Sequence, residues 1–398
     1  MAISPSAPSS EAPATSARPL FGWQRALALL IALRVGLGMI GMISVHLQPV
    51  TFITGNYSNL LIHGGEPWSQ LISIWQRWDA FFYEQIALHG YRPWDGTAAF
   101  YPLYPLLSRA ASIVLAGHIV IAELAVSSAA FGVAMWLLYR LALLDVPPTA
   151  ALLTVLLVTF FPTGFFLLAP YTESLFLLLT VAAFWFARID RPWLAGLAAF
   201  GAGLTRLQGA ILVLPLAFIT FRRAEGRGRR PGLDLLAAVL PSLGLILFTA
   251  YLHAVVGVHT SSLGVQSMWG YRIVPPWQAL GASAHYILHP TDPTQPPIEI
   301  LNLVCLLGAS VLGLLALWRL PLSYALYVWP SLLLLYTREM GYTPLMSVSR
   351  FTVVLFPCFI VLAALLARRP TLALSWLAVG ILLQATLFEA WVHFVFVA

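Results

Sequence analysis

The stretch ILNLVCLLGASVLGLLAL, residues 300–317, contains no charged residue. A bilayer's hydrocarbon core takes about 20 apolar residues in helical form, so this run can lie across most of it. Comparable runs recur along a chain of 398 residues that is 60% hydrophobic and only 9% charged. Too few polar residues remain for a water-exposed surface, and lipid cannot satisfy free backbone groups. These observations predict an all-α polytopic membrane protein.

The apolar runs give eleven candidate spans. Arginines cluster beside them, and with the N-terminus inside, every cluster falls on the cytoplasmic side, as the positive-inside rule requires. The span count and the orientation therefore support each other. The arginine clusters are at 18–25, 140, 188–191, 222–230, 319 and 368–369. The spans are 20–46, 118–140, 149–169, 172–188, 192–206, 208–221, 234–256, 298–318, 321–337, 349–367 and 371–396.

Two long loops, 47–117 and 257–297, then lie on the outer side. The apolar segment 98–115 is interpreted as a helix at the membrane surface, because a further crossing would reverse the placement of every later arginine cluster. Residues 192–221 are interpreted as two short spans whose shared turn lies below the outer surface, where it must face protein or water. Residues 20–398 thus form one transmembrane domain, preceded by a Ser-, Ala- and Pro-rich cytoplasmic tail, 1–19, that is predicted to be disordered.

Composition excludes several classes of protein. All 21 basic residues are arginine, which indicates a base-composition bias and a prokaryotic cell membrane. The positive charge lies at helix ends, so it reports orientation and does not predict nucleic acid as a partner. Cys305 and Cys358 fall inside apolar runs, and the histidines are too dispersed for ligand spacing. Neither a metal nor another cofactor is predicted.

Two acidic residues on the outer side are candidates for catalysis. Asp79 follows Trp75-Gln-Arg-Trp78 in the first outer loop and is either the N-cap of a short helix ending at Gly90 or a general base. Glu173 opens a helix, where the helix dipole favours an anion, so a structural role is the alternative for it.

Three outer arginines are candidates for binding an anion. Arg206 lies at the turn between the two short spans, and Arg350 opens a helix at the outer face. Cations are costly at such positions, so a lipid-linked phosphate is a better explanation than snorkelling. Arg272 lies in the second outer loop, in Gln266-Ser-Met-Trp269-Gly-Tyr-Arg272, where tryptophan, glutamine and arginine together suit a sugar face, its hydroxyls and a phosphate. An aromatic interfacial loop is the alternative.

At these segments the chain resembles the GPI mannosyltransferase II (PIG-V) family, a branch of the GT-C glycosyltransferases. The similarity spans positions 75 to 351, with Gln208 where family members often carry asparagine. The matching segments are Arg77-Trp78-Asp79, Phe81-Phe82-Tyr83, His89-Gly90-Tyr91, Phe100-Tyr101-Pro-Leu-Tyr104-Pro105, Tyr171-Thr-Glu173-Ser-Leu-Phe176, Thr205-Arg206 with Gly209, and Ser349-Arg350-Phe351.

The resemblance implies a GT-C fold of about eleven transmembrane helices with interfacial helices in the first outer loop. It also implies a polyprenyl-phosphate mannose donor, inverting transfer on the non-cytoplasmic face, and Asp79 as the base. The acceptor is then lipid- or glycan-linked, since a prokaryote lacks the GPI precursor. Expected substrate-binding residues are Arg77, Trp78, Tyr101, Tyr104, Gln266 and Trp269.

Two other classes of protein remain open from the sequence. A transporter or flippase of lipid-linked sugars would also carry outward polar groups and arginines, although no internal repeat is evident and the polar residues lie to one side of the membrane midplane. A scaffold subunit with an inactive site is the third possibility.

Overall fold

The protein is helical along most of its length in a computed structural model that describes residues 20–49, 67–228, 230, 232–259, 262–290, 295–341 and 343–397. The predicted N-terminal tail lies outside these residues. The α-helices are Trp23–Leu47, Pro67–Ser73, Asp79–His89, Leu103–Val114, Ile119–Ala142, Pro148–Thr159, Glu173–Arg188, Pro192–Gly203, Val213–Gly226, Asp234–Tyr251, Ser262–Val265, Pro276–Leu288, Pro296–Arg319, Leu322–Tyr336, Val348–Thr352, Phe356–Leu366 and Pro370–Val392.

Shorter elements connect these helices. Four 3₁₀ segments (Thr97–Ala99, Gly164–Leu167, Leu207–Leu212 and Gln266–Trp269) and one π segment (Leu252–Val256) occur in the described part of the chain. Strands Arg272–Ile273 and Arg338–Glu339 form an antiparallel pair in which Arg272 is opposite Glu339 and Ile273 is opposite Arg338. This pair joins the second outer loop to the segment after helix Leu322–Tyr336, a connection that the sequence did not predict.

In the described part of the chain, six helices are long and apolar enough to cross a membrane, and the protein is an all-α polytopic membrane protein, as predicted. Every one of the eleven predicted spans contains a helix, while the number that cross the membrane stays a prediction. The six are Trp23–Leu47, Ile119–Ala142, Leu207–Gly226, Asp234–Val256, Pro296–Arg319 and Pro370–Val392.

Two predicted spans differ from the sequence expectation because each is broken. Span 149–169 is interrupted after Thr159 by a turn that contains Pro162, and span 349–367 is interrupted before helix Phe356–Leu366, whose second residue is Pro357. Proline has no N–H to donate and its ring clashes with the preceding turn. At the first break the buried Gln384 amide donates to the carbonyls of Thr159 and Phe161, at 3.0 and 3.1 Å.

Close packing by glycine positions the turn that carries Arg206. A Cβ at Gly203 would lie 2.2 Å from the Pro241 carbonyl oxygen, so helices Pro192–Gly203 and Asp234–Tyr251 approach with backbones almost in contact. Small residues allow this approach between apolar helices. The same turn is joined to the first outer loop, since the Leu103 N–H donates to the Leu204 carbonyl at 3.0 Å.

Candidate active site

Asp79 is the first residue of helix Asp79–His89, and its backbone is held by a neighbouring tyrosine. The Tyr171 hydroxyl donates to the Arg77 carbonyl at 2.9 Å and accepts the Asp79 N–H at 3.2 Å. The helix cap position is Trp78, with a φ of 52° and no side-chain cap. Asp79 is therefore not the N-cap, and the capping interpretation of its carboxylate was wrong by one residue.

The Asp79 carboxylate instead forms an ion pair with Arg350. Arg350 Nη1 lies 2.7 Å from Asp79 Oδ2, and Arg350 Nε lies 3.2 Å from Glu173 Oε1. The second contact is close enough for charge attraction but is not aligned as a hydrogen bond. One guanidinium thus links the two carboxylates.

Glu173 completes the chain of charges from its place at the start of helix Glu173–Arg188. Arg206 Nη1 donates to Glu173 Oε1 at 3.0 Å, and the glutamate side chain is only 1% exposed. The Asp79 side chain, by contrast, is 25% exposed. Of these two carboxylates, only Asp79 is open to a substrate.

Buried polar side chains on helix Pro296–Arg319 hold the segment that carries Arg350. Glu299 accepts the Leu345 N–H at 3.1 Å, and Asn302 accepts the Ser349 N–H at 2.9 Å. Both side chains are fully buried, so these hydrogen bonds are shielded from competing water. The position of the Arg350 guanidinium therefore depends on a helix remote in sequence from Asp79.

A third arginine, Arg338, lies beside the same cluster. The guanidinium carbons of Arg206, Arg338 and Arg350 are 4.6, 4.8 and 5.1 Å from the centre of the Phe351 ring. Burial lowers the pKa of Arg338 to about 10, with Arg350 the next cause. We name the set Asp79, Glu173, Arg206, Arg338 and Arg350 the outer cluster, after the side on which the sequence places it.

Arg77 and Arg272, which were expected to bind substrate and donor phosphate, lie outside the outer cluster. Arg77 is buried and donates to the Val392 carbonyl at 2.8 Å, and burial lowers its pKa to about 9. Arg272 has a side chain 68% exposed and lies 3.5 Å from Glu339. In this structure both arginines have partners of their own.

The expected aromatic residues divide into buried and accessible ones. Tyr104 is fully buried, with its hydroxyl bonded to the Glu123 carbonyl, and Tyr101 is 5% exposed with its hydroxyl 3.0 Å from Ser262. Trp269 is partly exposed and packs edge-on against Phe82, with ring centroids 5.6 Å apart. Trp78 is partly exposed too, while its indole N–H has no hydrogen-bond partner among the residues that the structure describes.

Gln266 begins the 3₁₀ segment that carries Trp269 and is partly exposed. The sequence places Arg338 among the outward-facing charged residues, which are candidates for function, without a specific role. It gave no role to Glu299 or Asn302. The signal available for Arg338 was its positive charge at the outer end of a predicted span. The signal for Glu299 and Asn302 was a polar side chain within an apolar run.

The described residues contain no group of three or more His, Cys, Asp or Glu side chains placed to hold a metal ion. Cys305 and Cys358 are buried free thiols. The chemistry available at the outer cluster is therefore that of one accessible carboxylate, one buried carboxylate and three guanidinium groups.

Fold and cluster together define a multi-pass helical membrane protein with an ionic site where several helix ends meet. Residues 56–224, less than half of the chain, match the family described as Mannosyltransferase (PIG-V). The resemblance seen in the motifs is confirmed there. Asp79, Glu173 and Arg206 lie within the matched residues, and Arg338 and Arg350 lie beyond them.

Curated relatives agree with the family match. Proteins named GPI mannosyltransferase 2 from two strains of Cryptococcus neoformans var. neoformans serotype D are each 34% identical to the chain over 144 residues. The alignment covers 33% of this chain and 34% of each relative. The chain thus matches about a third of the length of these relatives.

Proposed function

We propose that this protein is an inverting mannosyltransferase, which takes mannose from a polyprenyl-phosphate donor and transfers it to a lipid- or glycan-linked acceptor. The family match supports mannosyl transfer. The observation that carries the proposal is the Asp79 carboxylate, 25% exposed and 2.7 Å from Arg350 in a cluster of cations.

In the proposed reaction Asp79 accepts the proton of the acceptor hydroxyl as its oxygen attacks C1 of mannose. The bond between C1 and the phosphate oxygen breaks, and the electron pair leaves on polyprenyl phosphate, whose charge the arginines stabilise. A single displacement inverts C1. Retention by a double displacement would need a carboxylate nucleophile at the sugar, and the burial of Glu173 argues against that role for it.

The test uses purified protein in proteoliposomes with polyprenyl-phosphate mannose labelled in the sugar and a membrane extract as the source of acceptor. We expect labelled mannose in a new lipid or glycan, with the anomeric configuration opposite to that of the donor. Retained configuration would contradict the mechanism. Donor crossing the bilayer with no new glycoside formed would contradict the enzyme and favour a flippase.

We also propose that the outer cluster faces the non-cytoplasmic side of a prokaryotic cell membrane. The arginine distribution supports this orientation. Single cysteines at His285 and Gly226, in a variant with both native cysteines replaced by serine, test it with an impermeant maleimide on intact cells. We expect reaction at position 285 only, and the reverse pattern would contradict the orientation.

A further inference from the structure

The outer cluster contains more positive than negative groups. Asp79 and Glu173 are each in contact with Arg350, and Glu173 is also bound by Arg206. Three guanidinium groups and two carboxylates leave one positive charge without a counter-charge. An uncompensated charge that is partly shielded from water is costly, so a protein that retains one has a use for an anion at that place.

Arg338 is the cation that lacks a partner. Within the described part of the chain its side chain forms no ion pair and no hydrogen bond; its Nε is shielded from solvent, while the residue as a whole is partly exposed. Its guanidinium carbon lies over the rings of Phe351 and Tyr271, at 4.8 and 5.9 Å from their centres. A phenyl face attracts a cation only weakly, and it does not replace a counter-ion.

The strand pair explains why Arg338 does not pair with the neighbouring carboxylate of Glu339. Side chains alternate between the two sides of a strand, so Arg338 and Glu339 point in opposite directions. Glu339 is engaged on its own side by Arg272 at 3.5 Å and by the Gln278 amide at 3.3 Å. The carboxylate next in sequence is thus unavailable to Arg338, which points towards Phe351 and the other two arginines.

We propose that Arg338 binds the phosphate of the donor and that the outer cluster is built for a phosphodiester, which carries one negative charge. This assignment rests on the proposed function, because it takes a phosphate-linked sugar as the ligand. A phosphodiester monoanion brings the net charge of the occupied cluster to zero. Arg206 and Arg350 keep their carboxylate partners in this state, so Asp79 stays in place when the donor binds.

The structure also gives this assignment a stability signature. Arg338 is repelled by Arg350 and Arg206, is attracted less strongly by Asp79, and forms no ion pair or hydrogen bond within the described residues, so Arg338→Gln should leave thermal stability without ligand unchanged or raised. A structural arginine would behave in the opposite way, since its loss would lower stability. Residues that bind ligand at a cost to stability are a known consequence of selection for function.

Binding is measured with purified protein in detergent micelles and three probes: polyprenyl-phosphate mannose, the neutral polyprenyl mannoside that lacks phosphate, and polyprenyl monophosphate. We expect Arg338→Gln to weaken phosphodiester binding about 10- to 100-fold, the range for a hydrogen bond to a charged group. Binding of the neutral mannoside should not change. Arg338→Lys should recover part of the loss because it restores the charge.

Arg227→Gln is the control, since it removes an arginine that is 48% exposed and paired with Asp190, outside the outer cluster, and it should leave phosphodiester binding unchanged. Equal affinity of Arg338→Gln and wild type for the phosphodiester would overturn the assignment, as would equal affinity of wild-type protein for the phosphodiester and the neutral mannoside. A protein that binds the phosphodiester through Arg338 but transfers no mannose would support this inference and contradict the proposed function.

Discussion

Helix Glu173–Arg188 has a group of ion pairs near each end, and the two groups differ in their exposure to solvent. At the Glu173 end, the side chains of Glu173 and Arg206 are 1% and 9% exposed. At the Arg188 end, Arg188 pairs with Asp145 at 2.9 Å, and Asp190 just beyond the helix is 44% exposed and pairs with two further arginines. We name Asp190, Arg223 and Arg227 the inner cluster.

The comparison shows which ionic groups are informative about function. An exposed pair contributes little, because water and salt screen it and both side chains lose entropy on pairing. With the proposed orientation, the inner cluster is explained by the positive-inside rule alone. Charges removed from water need a stronger reason, and the excess positive charge of the outer cluster suggests that its reason is a ligand. The predictions below test this difference from its largest expected effect to its smallest.

Asp79→Asn should give the largest effect. Asparagine keeps the size of the side chain but cannot accept the acceptor's proton, and loss of a general base costs about 10²- to 10⁴-fold in rate. Donor binding should stay within a few-fold of wild type, because Arg338 is unchanged. Single-turnover transfer of labelled mannose, with donor binding measured separately, checks both statements.

Glu173→Gln is the comparison for Asp79→Asn. Glu173 is too buried to reach a sugar, so Glu173→Gln should lower the rate of transfer less than Asp79→Asn does. It should change the affinity for donor more than Asp79→Asn does, because it releases Arg206 and Arg350. Transfer by Asp79→Asn within a few-fold of wild type would exclude Asp79 as the base.

Arg350→Gln should give the largest loss of stability. It removes the cation shared by Asp79 and Glu173, and breaking a buried ion pair by removing one partner costs about 3–5 kcal/mol. Denaturant unfolding in detergent measures this loss. Arg338→Gln, at the same phenyl ring, is the control with no expected loss. Equal destabilisation by the two variants would mean that Arg338 has a structural role and would remove the distinction between them.

Much of the helical architecture was predictable from the sequence, because apolar runs of the length of a bilayer have one solution in lipid. The breaks near Pro162 and Pro357 were missed although proline was visible at both. A helix inside a membrane tolerates proline when another group satisfies the backbone, and the Gln384 side chain that does so comes from the last long helix. Composition contains no information about that contact.

The site was predictable as a set of residue types, but not as a set of partners. Asp79, Glu173, Arg206 and Arg350 were all selected because charge in an apolar chain is costly. Their pairing depends on distances between segments up to 271 residues apart, as for Arg350 and Asp79. The importance of Arg338 depends on the strand pair, whose two-residue strands carry no periodic signal.

Glu84 gives a smaller, pH-dependent effect and extends the comparison to a carboxylate that has no cationic partner within the described ranges. It lies on the same helix as Asp79, 6% exposed, and accepts a hydrogen bond from Gln76 at 3.0 Å. Burial raises the pKa of Glu84 from 4.5 to about 7, although the Gln76 bond lowers it. Because the pKa of Glu84 is higher in the folded than in the unfolded protein, proton binding at Glu84 stabilises the fold. This contribution to stability is complete below pH 4.5 and is lost as the pH rises through 7.

From these two pKa values, the free energy of unfolding falls by about 3 kcal/mol between pH 4.5 and 8. Glu84→Gln should abolish this part of the pH dependence, and it should be more stable than wild type at pH 8. Thermal unfolding at pH 5 and pH 8 measures the change. Glu225→Gln, which removes an exposed carboxylate 56% open to solvent, serves as the control. An unchanged pH dependence in Glu84→Gln would show that other groups cause it.

The smallest effect is expected at the inner cluster. Arg227 pairs with Asp190, and their side chains are 48% and 44% exposed. The arginine lowers the pKa of Asp190, which also has Arg223 at 2.7 Å and so keeps a cation when Arg227 is lost. Arg227→Gln should therefore leave both the thermal stability and the rate of mannosyl transfer unchanged within error, at low and at high salt. A loss of transfer beyond error would mean that exposed charge at the far end of helix Glu173–Arg188 acts on the reaction, and burial would then no longer separate the functional cluster from the structural one.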